Sequence, residues 1–174
     1  MNRNYNALIL KSVKITAGAI LAILFASCLN LKYSATAGII TILSIQNTKK
    51  ETIQTALARG EAFCCALLVS FLCYNFFGYT TAAFGIYLLV FTTLCLTMKW
   101  SSAIAMDSVL ITHFLAEKTM NIPMIANEIS LFLIGAGIGV LLNLSLRPKE
   151  NEWKDKMAEA DESIRSIIKR MAER

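Results

Sequence analysis

Long apolar stretches with almost no Lys or Arg fill the chain from about Val13 to Leu146, and short polar segments separate them. The chain has 174 residues, of which 56% are hydrophobic, and its mean hydropathy is +0.56. The hydrocarbon core of a bilayer is about 30 Å thick, and a helix needs roughly 20 residues to cross it. The pattern therefore predicts an integral membrane protein.

The predicted fold is an all-α membrane bundle of about six transmembrane helices in residues 1–147, followed by a cytoplasmic amphipathic helix in residues 148–174. Helices are favoured over a barrel because residues 19–26 are apolar on every side, whereas barrel strands alternate apolar and polar residues. Several predicted spans are short, which indicates tilt, local thinning of the bilayer or a re-entrant hairpin in the first pair. The spans are placed at Val13–Leu29, Tyr33–Gln46, Leu57–Phe77, Thr80–Met98, Ser101–Met120 and Asn127–Leu146.

The distribution of Lys and Arg predicts that both termini lie in the cytoplasm, because basic loops stay on that side of the membrane. With six spans, the outer side carries only Lys32 and Lys118. The net charge of +5 at pH 7 is explained by basic residues facing anionic lipid headgroups, so the bilayer is the expected partner and nucleic acid is not. The cytoplasmic side carries Arg3, Lys11, Lys14, Lys49, Lys50, Arg59, Lys99 and the eight basic residues from Arg147 onward.

No arrangement of residues typical of an enzyme is visible. The sequence has no Gly-rich phosphate loop and no paired-His metal motif, and its single histidine, His113, leaves no Ser-His-Asp set. The five cysteines are spread through the apolar segments without a C-x-x-C pair, which is typical of packing residues. We therefore predict no enzymatic activity, no catalytic residues, no metal site and no cofactor.

Ionisable side chains inside the predicted spans are the candidate functional residues. A charged group at the bilayer centre costs about 2.5–3.5 kcal/mol on insertion scales, so such groups usually face the bundle interior. His113 is the first candidate for a proton pathway because histidine changes charge near neutral pH. The alternative is a structural histidine at a helix contact. Asp107 is the second candidate, and a partner for Lys99 or a helix cap is its alternative role.

Polar residues near the ends of the predicted spans suit either helix ends or the mouth of a polar pathway. Ser44 and Gln46 end the second span and are pathway candidates. Glu128 is predicted to open the sixth span, where an acid suits a helix N-terminus. Glu61 lies beside Arg59 near the start of the third span, and the two are predicted to form an interfacial ion pair.

Small residues four apart occur in two of the predicted spans. This spacing lets the backbones of two transmembrane helices approach closely, as in small-x-x-x-small contacts. We therefore predict helix packing at these positions. The pairs are Ser34 with Gly38 and Gly135 with Gly139.

Apolar residues of the C-terminal segment recur at spacings of 4, 3, 4, 3 and 4, which is typical of a coiled coil. The alternative is a helix lying on the membrane surface, which the eight basic and seven acidic residues of this segment disfavour. We predict that the helix pairs copies into a homodimer or higher homo-oligomer. The pattern is still running at Arg174, which indicates a truncated or shortened form of a longer protein. The seam residues are Trp153, Met157, Ala160, Ile164, Ile167 and Met171.

The membrane region resembles the aromatic acid exporter family, which is related to the fusaric acid resistance transporters. The resemblance implies a multi-pass protein of the bacterial inner membrane with a cytoplasmic C-terminal region. It also implies export of aromatic carboxylic acids or other small organic anions, driven by the proton gradient. Relatives often carry two membrane modules, so one module would need a partner copy. The resemblance rests on residues 37–46 with Thr48, Lys49 and Lys50, on Ala58-Arg59, on the His113 helix, and on residues 133–143 before Arg147-Pro148.

Two functional hypotheses follow. The first is a proton-coupled secondary exporter of small organic anions that works as a homodimer. In it, His113 is the proton-linked or substrate-sensing group, Asp107 is an alternative coupling site, and Ser44 and Gln46 line the cytoplasmic mouth. The second is a membrane scaffold that transports nothing, and that dimerises and recruits partners through its cytoplasmic helix.

Overall fold

The computed structural model describes residues 2–45, 49–145, 157–158 and 160–165. Within these residues every regular element is helical, which confirms the all-α prediction. The six helices are α1 (Asn2–Cys28), α2 (Ala35–Leu43), α3 (Lys49–Phe77), α4 (Thr81–Thr97), α5 (Ile104–Glu117) and α6 (Ile122–Ser145).

Three of these helices are long and apolar enough to cross a bilayer, which agrees with a membrane bundle. Their qualifying segments are Lys11–Cys28 in α1, Thr52–Phe77 in α3 and Ile122–Leu144 in α6. α4 is equally apolar in character but has only 17 residues. Large apolar side chains remain exposed on the outside of the bundle, among them Phe76 at 75% and Leu89 at 71%. Such a surface suits lipid and not water.

α2 and α5 are too short to cross 30 Å of hydrocarbon as straight helices. α2 has nine residues, or about 14 Å, and α5 has 14 residues, or about 21 Å. The second predicted span began at Tyr33, but this residue has a positive φ of 58°, a left-handed conformation that does not continue a helix. The count of six membrane spans therefore stays a prediction.

α6 begins at Ile122, before the start predicted at Asn127. The side chain of Asn121 caps it, since its Oδ1 accepts a hydrogen bond from the Met124 N–H at 3.0 Å. A proline at position 123 also suits the first helical turn. Glu128 therefore lies well inside α6, and the prediction that it opens this helix is wrong.

Successive helices alternate in direction, so their polar contacts gather at two opposite ends of the bundle. At one end, the Lys32 N–H in the α1–α2 loop donates to Asn127 Oδ1 at 2.8 Å. At the other end, Thr52 of α3 accepts a hydrogen bond from the Asn143 side chain of α6. We call these the outer end and the inner end, following the orientation predicted from Lys and Arg.

α2 packs against the backbone of α6, and both helices run in the same direction. A Cβ added to Gly135 would lie 2.6 Å from Ile40 Cβ, and one added to Gly139 would lie 2.5 Å from Ser44 Cβ. Both distances are shorter than real contacts allow, so only glycine fits there. Thr41 fastens the contact, because its hydroxyl donates to Gly135 O at 3.0 Å.

Gly38, from the second predicted pair of small residues, lies on the side of α2 that faces α1. A Cβ added to Gly38 would lie 2.7 Å from Ile23 Cγ1 and 3.1 Å from Ala19 O. Ser34 directly precedes α2 and is half-buried, and its carbonyl accepts the Ala37 N–H at 3.1 Å. α2 is therefore held between α1 and α6.

Two apolar clusters fill the bundle on either side of α3. One joins α3, α4 and α5 around Tyr87, Phe91 and Phe114. The other joins α1, α2 and α6 with parts of α3 and α5, and in it the Phe63 and Phe132 rings stack with centroids 5.0 Å apart. The polar side chains described below lie within this apolar packing.

The predicted coiled-coil seam is described only in its middle. Met157, Ala160 and Ile164 are helical and exposed, and Arg165 pairs with Asp161 one turn away at 3.3 Å. Trp153, Ile167 and Met171 lie outside the described residues. Pairing of copies through this segment stays a prediction.

Candidate functional site

Ionisable side chains are buried in the bundle at two places. The outer site consists of His113, Glu128 and Thr36, which come from α5, α6 and α2. The inner site consists of Arg59 of α3, Asp107 of α5 and the groups around them. Ionisable groups buried in a membrane bundle are rare and are by default functional candidates.

His113 and Glu128 form a buried hydrogen-bonded pair between α5 and α6. The distance from His113 Nδ1 to Glu128 Oε2 is 2.7 Å, and the two residues are 7% and 0% exposed. An ionised carboxylate only accepts hydrogen bonds, so Nδ1 carries the proton and donates it. The other carboxylate oxygen accepts from Asn127 Nδ2 at 3.0 Å. Glu128 thus fixes both the orientation and the tautomer of the imidazole.

Thr36 completes the hydrogen bonding of His113. Its Oγ1 lies 3.3 Å from His113 Nε2. A hydroxyl both donates and accepts, so it donates to Nε2 when the imidazole is neutral and accepts from Nε2–H when the ring is protonated. The outer site can therefore take up or release a proton at Nε2 without leaving a buried nitrogen unpaired.

Tyr33 covers the outer site from the outer end. Its ring stacks on His113 with the centroids 4.0 Å apart and the planes 4° from parallel. The Tyr33 hydroxyl donates to Glu117 Oε1 at 3.2 Å, and Lys32 Nζ donates to Glu117 Oε2 at 2.8 Å. This hydrogen bond raises the pKa of Lys32 above its ordinary value of 10.5. The loop between α1 and α2 therefore closes over the histidine.

Arg59 lies at the inner end, where it binds the C-terminal end of α2. Its Nη2 donates to Leu43 O at 2.9 Å, and its Nη1 donates to Ser44 Oγ at 3.3 Å. The last carbonyls of a helix lack partners within the helix and carry partial negative charge, so a guanidinium fits there. Arg59 is only 5% exposed, and among the described residues its Nε has no hydrogen-bond acceptor.

Asp107 is completely buried, and in the described part of the chain neither of its carboxylate oxygens has a hydrogen-bond partner. The carboxylate interacts electrostatically with Arg59 and with Tyr87. The buried hydroxyl groups of Tyr87 and Ser108 interact with each other and have no other partner among these residues. The inner site thus concentrates polar atoms that lack partners.

The predicted pathway residues divide between the two sites. Ser44 and Asp107 lie at the inner site with Arg59, whereas His113 lies at the outer site. Gln46 lies outside the described residues. Asp107 neither pairs with Lys99 nor caps a helix, since among the described residues its oxygens have no partner.

The roles of Glu128, Arg59 and Thr36 were not predicted from the sequence. The predicted ion pair between Arg59 and Glu61 is wrong, because Glu61 is exposed while Arg59 is buried against the end of α2. The Asn121 cap and the proline that follows it signalled an early start of α6, and they would have placed Glu128 inside the span. No comparable signal in the sequence pointed to Thr36.

No metal site emerges from the described ranges. No group of three or more His, Cys, Asp or Glu side chains within them is arranged to hold a metal ion.

Residues 7–146 match the family described as aromatic acid exporter family member 1. The chain is 36% identical over 134 residues to a protein of Bacillus subtilis (strain 168) named uncharacterized protein YqjA. That match covers 77% of this chain and 42% of the relative, so the chain spans about two fifths of the relative's length. No solved structure gives a significant match. Because the family match covers most of the chain and confirms the resemblance seen in the residues, the chain belongs to the aromatic acid exporter family.

Proposed function

We propose that this membrane protein exports small organic anions, in particular aromatic carboxylates, and that protons moving inward drive the export. Membership of an exporter family supports the transport role. The structural observation that supports proton coupling is the outer site, where His113 lies between Glu128 and Thr36. The proton-linked group in this proposal is His113.

Protonation of His113 changes the charge buried at the outer site. With a neutral imidazole, the carboxylate of Glu128 is a single buried negative charge. A proton on Nε2 turns the site into a neutral ion pair, and Thr36 accepts the new N–H. A buried charge is stable only when it is paired, so proton uptake favours the packed arrangement of α2, α5 and α6. Proton release weakens it, which links the proton to the arrangement of these helices.

The α1–α2 loop gives the outer site a cover that can move. Tyr33 stacks on His113, and the Lys32–Glu117 pair that holds this loop is partly exposed. Exposed ion pairs are weak, because solvent screens the two charges. Opening of this loop would expose His113 to the outer solution, from which the driving proton would come.

The anion would enter from the inner end, where Ser44 and Asp107 lie, and where Gln46 was predicted to contribute. One membrane module would work with a second copy, with the C-terminal helices as the contact between copies. The exposed apolar side chains of Met157 and Ile164 support this homodimer.

The test replaces His113 with Gln, which keeps hydrogen bonding but cannot take up a proton. Proteoliposomes containing the protein are loaded with a fluorescent aromatic carboxylate and diluted into acidic buffer. Wild type should release the probe faster when the outside is acidic. His113→Gln should remove this acceleration, while the protein still inserts and folds.

The matched control is Ala116→Gln, which places the same side chain on an exposed position of α5. It should export as wild type does. If His113→Gln keeps the full response to the pH gradient, His113 is structural. If wild type releases the probe no faster than protein-free vesicles, the exporter proposal fails and the scaffold hypothesis gains.

A further inference from the structure

We infer that the inner site is a carboxylate-binding site, in which Arg59 and protonated Asp107 together hold the carboxylate group of the exported anion. This rests on the proposed function, since the chain must take up organic anions from the inner side. It goes beyond that proposal because it identifies the residues that recognise the anion and the proton that binds with it.

Arg59 is buried but only partly hydrogen-bonded. Its guanidinium is buried, yet among the described residues no carboxylate lies within 4.0 Å of it. It uses Nη1 and Nη2 on the end of α2, and its Nε–H remains without an acceptor. Arginine matches the planar geometry of a carboxylate better than any other side chain. The Arg59 Nε–H is therefore available to donate to a bound carboxylate.

Other polar atoms near this donor also lack hydrogen-bond partners. Both oxygens of Asp107 on α5 are buried without one in the described structure. The buried hydroxyl groups of Tyr87 on α4 and Ser108 on α5 interact with each other but have no other partner there. An unsatisfied polar group inside a membrane protein costs free energy, because hydrocarbon supplies no replacement hydrogen bond. The unpaired atoms of Arg59 and Asp107 therefore indicate a place that a polar ligand completes.

The net charge of the inner site indicates that a proton binds together with the carboxylate. Arg59 and ionised Asp107 are together neutral, so an added carboxylate would leave one net negative charge buried. If Asp107 takes up a proton as the carboxylate binds, the site stays neutral. The carboxylate then accepts from Arg59 Nε–H and from the Asp107 hydroxyl. The titratable or charged groups that interact with Asp107 are Arg59 from α3 and Tyr87 and Cys95 from α4, and none of these supplies a second positive charge.

The partner chemistry is therefore a monocarboxylate bound together with one proton. Linkage requires its affinity to fall as pH rises, by up to about tenfold per pH unit once Asp107 is ionised in the free site. A neutral amide of the same shape lacks the charge that Arg59 recognises. Benzoate and benzamide form the matched pair of probes.

The experiment is calorimetric titration of the full chain in detergent with benzoate, repeated in buffers of different ionisation heat to count protons. Wild type should bind benzoate but not benzamide, and should take up about one proton per benzoate at a pH where Asp107 is ionised in the free site. Asp107→Asn should still bind benzoate, because its amide donates as the protonated acid does, but it should take up no proton. Arg59→Gln should weaken binding by roughly tenfold or more, because it removes the charge-assisted bond.

Arg59 also binds the end of α2, so Arg59→Gln could fail for reasons of folding. Arg59→Lys is the second variant, because it keeps a positive charge near the helix end but has no Nε–H. It should keep the wild-type melting temperature more closely than Arg59→Gln and still bind benzoate more weakly than wild type. Benzoate binding within twofold of wild type in Arg59→Lys and Arg59→Gln overturns the inference, as does a wild-type proton count in Asp107→Asn.

His113→Gln separates this inference from the proposed function. It should bind benzoate with wild-type affinity and proton count even if its pH-driven export is lost. If wild type does not bind benzoate, the inference is overturned, because water then satisfies the polar atoms of the inner site. The role of His113 is in that case decided by the export measurement alone.

Discussion

The outer and inner sites hold similar side chains in opposite conditions. At the outer site every polar atom of the His113–Glu128 pair has a partner, supplied by Thr36 and Asn127. At the inner site, both oxygens of Asp107 and the Nε of Arg59 have none among the described residues. A satisfied buried network stabilises one arrangement, whereas unsatisfied groups cost free energy until something binds them. The comparison separates a site that holds the structure from a site prepared for a ligand.

Replacing one acid at each site should give the largest contrast. Glu128→Leu leaves His113 Nδ1–H without an acceptor and should lower the free energy of unfolding by about 1–3 kcal/mol, the usual cost of an unpaired buried donor. Asp107→Leu removes two oxygens that make no hydrogen bond, so it should cost less stability than Glu128→Leu, although Arg59 loses an electrostatic partner. Thermal unfolding of both variants in detergent measures the difference.

Glu128→Gln is the control for this pair, because its amide oxygen still accepts from His113 and should preserve most of the stability. If Asp107→Leu proved as damaging as Glu128→Leu, the inner carboxylate would be part of a satisfied network. The contrast between the two sites would then be wrong.

Removing the ring that covers the outer site should have an intermediate effect. Tyr33→Leu loses the stacking on His113, and aromatic pairs contribute about 0.5–1.5 kcal/mol beyond their buried area. Tyr33→Phe keeps the ring and loses only the hydrogen bond to Glu117, so it should lie between wild type and Tyr33→Leu. Hydrogen exchange of the α1–α2 loop should rise in the same order, and equal exchange in all three proteins would show that Tyr33 does not hold the loop closed.

The exposed Lys32–Glu117 pair should have the smallest effect. Lys32→Ala should reduce stability only slightly, because solvent screens an exposed pair. The folded-state pKa of Lys32 is raised, so its contribution should be fully present below pH 10.5 and lost as the pH rises through the higher folded value. Unfolding of wild type and Lys32→Ala between pH 7 and 11 measures it, with Lys118→Ala as the control. A difference that disappears already near neutral pH would contradict this assignment.

The sequence was sufficient for the helical class and the family but not for the partners of buried groups. Apolar length and charge distribution are properties of segments, so they can be read along the chain. Glu128 and His113 are 15 positions apart in the chain, and they meet only because α5 and α6 pack side by side at a particular rotation. The pairing of Arg59 with the end of α2 depends likewise on where α2 stops, which the apolar run across residues 37–46 does not reveal.

The predictions of single residues succeeded best where one residue type has one physical use. Gly135 and Gly139 were predicted from spacing alone, and the structure places both against the backbone of α2 and its Ile40 and Ser44 side chains. Asp107 and His113 are ionisable, and the same residue type can be satisfied or unsatisfied. Only the tertiary contacts distinguish these two conditions.

The spacing of Gly135 and Gly139 on α6 also bears on how α2 could move. They are one helical turn apart, about 6 Å along the axis, and Ile40 and Ser44 of α2 have the same four-residue spacing. If α2 moved by one helical turn toward the inner end, Ile40 would pack on Gly139 in place of Ser44. The equal spacing of the two glycines would therefore allow a second packing position of α2 on α6. Steps of one turn between packed helices are a recognised mode of conformational change. Thr36 of α2 contacts His113 at the outer site, and Arg59 binds the carbonyl of Leu43 at the inner end of α2. One such step of α2 would therefore change contacts at the outer and inner sites together.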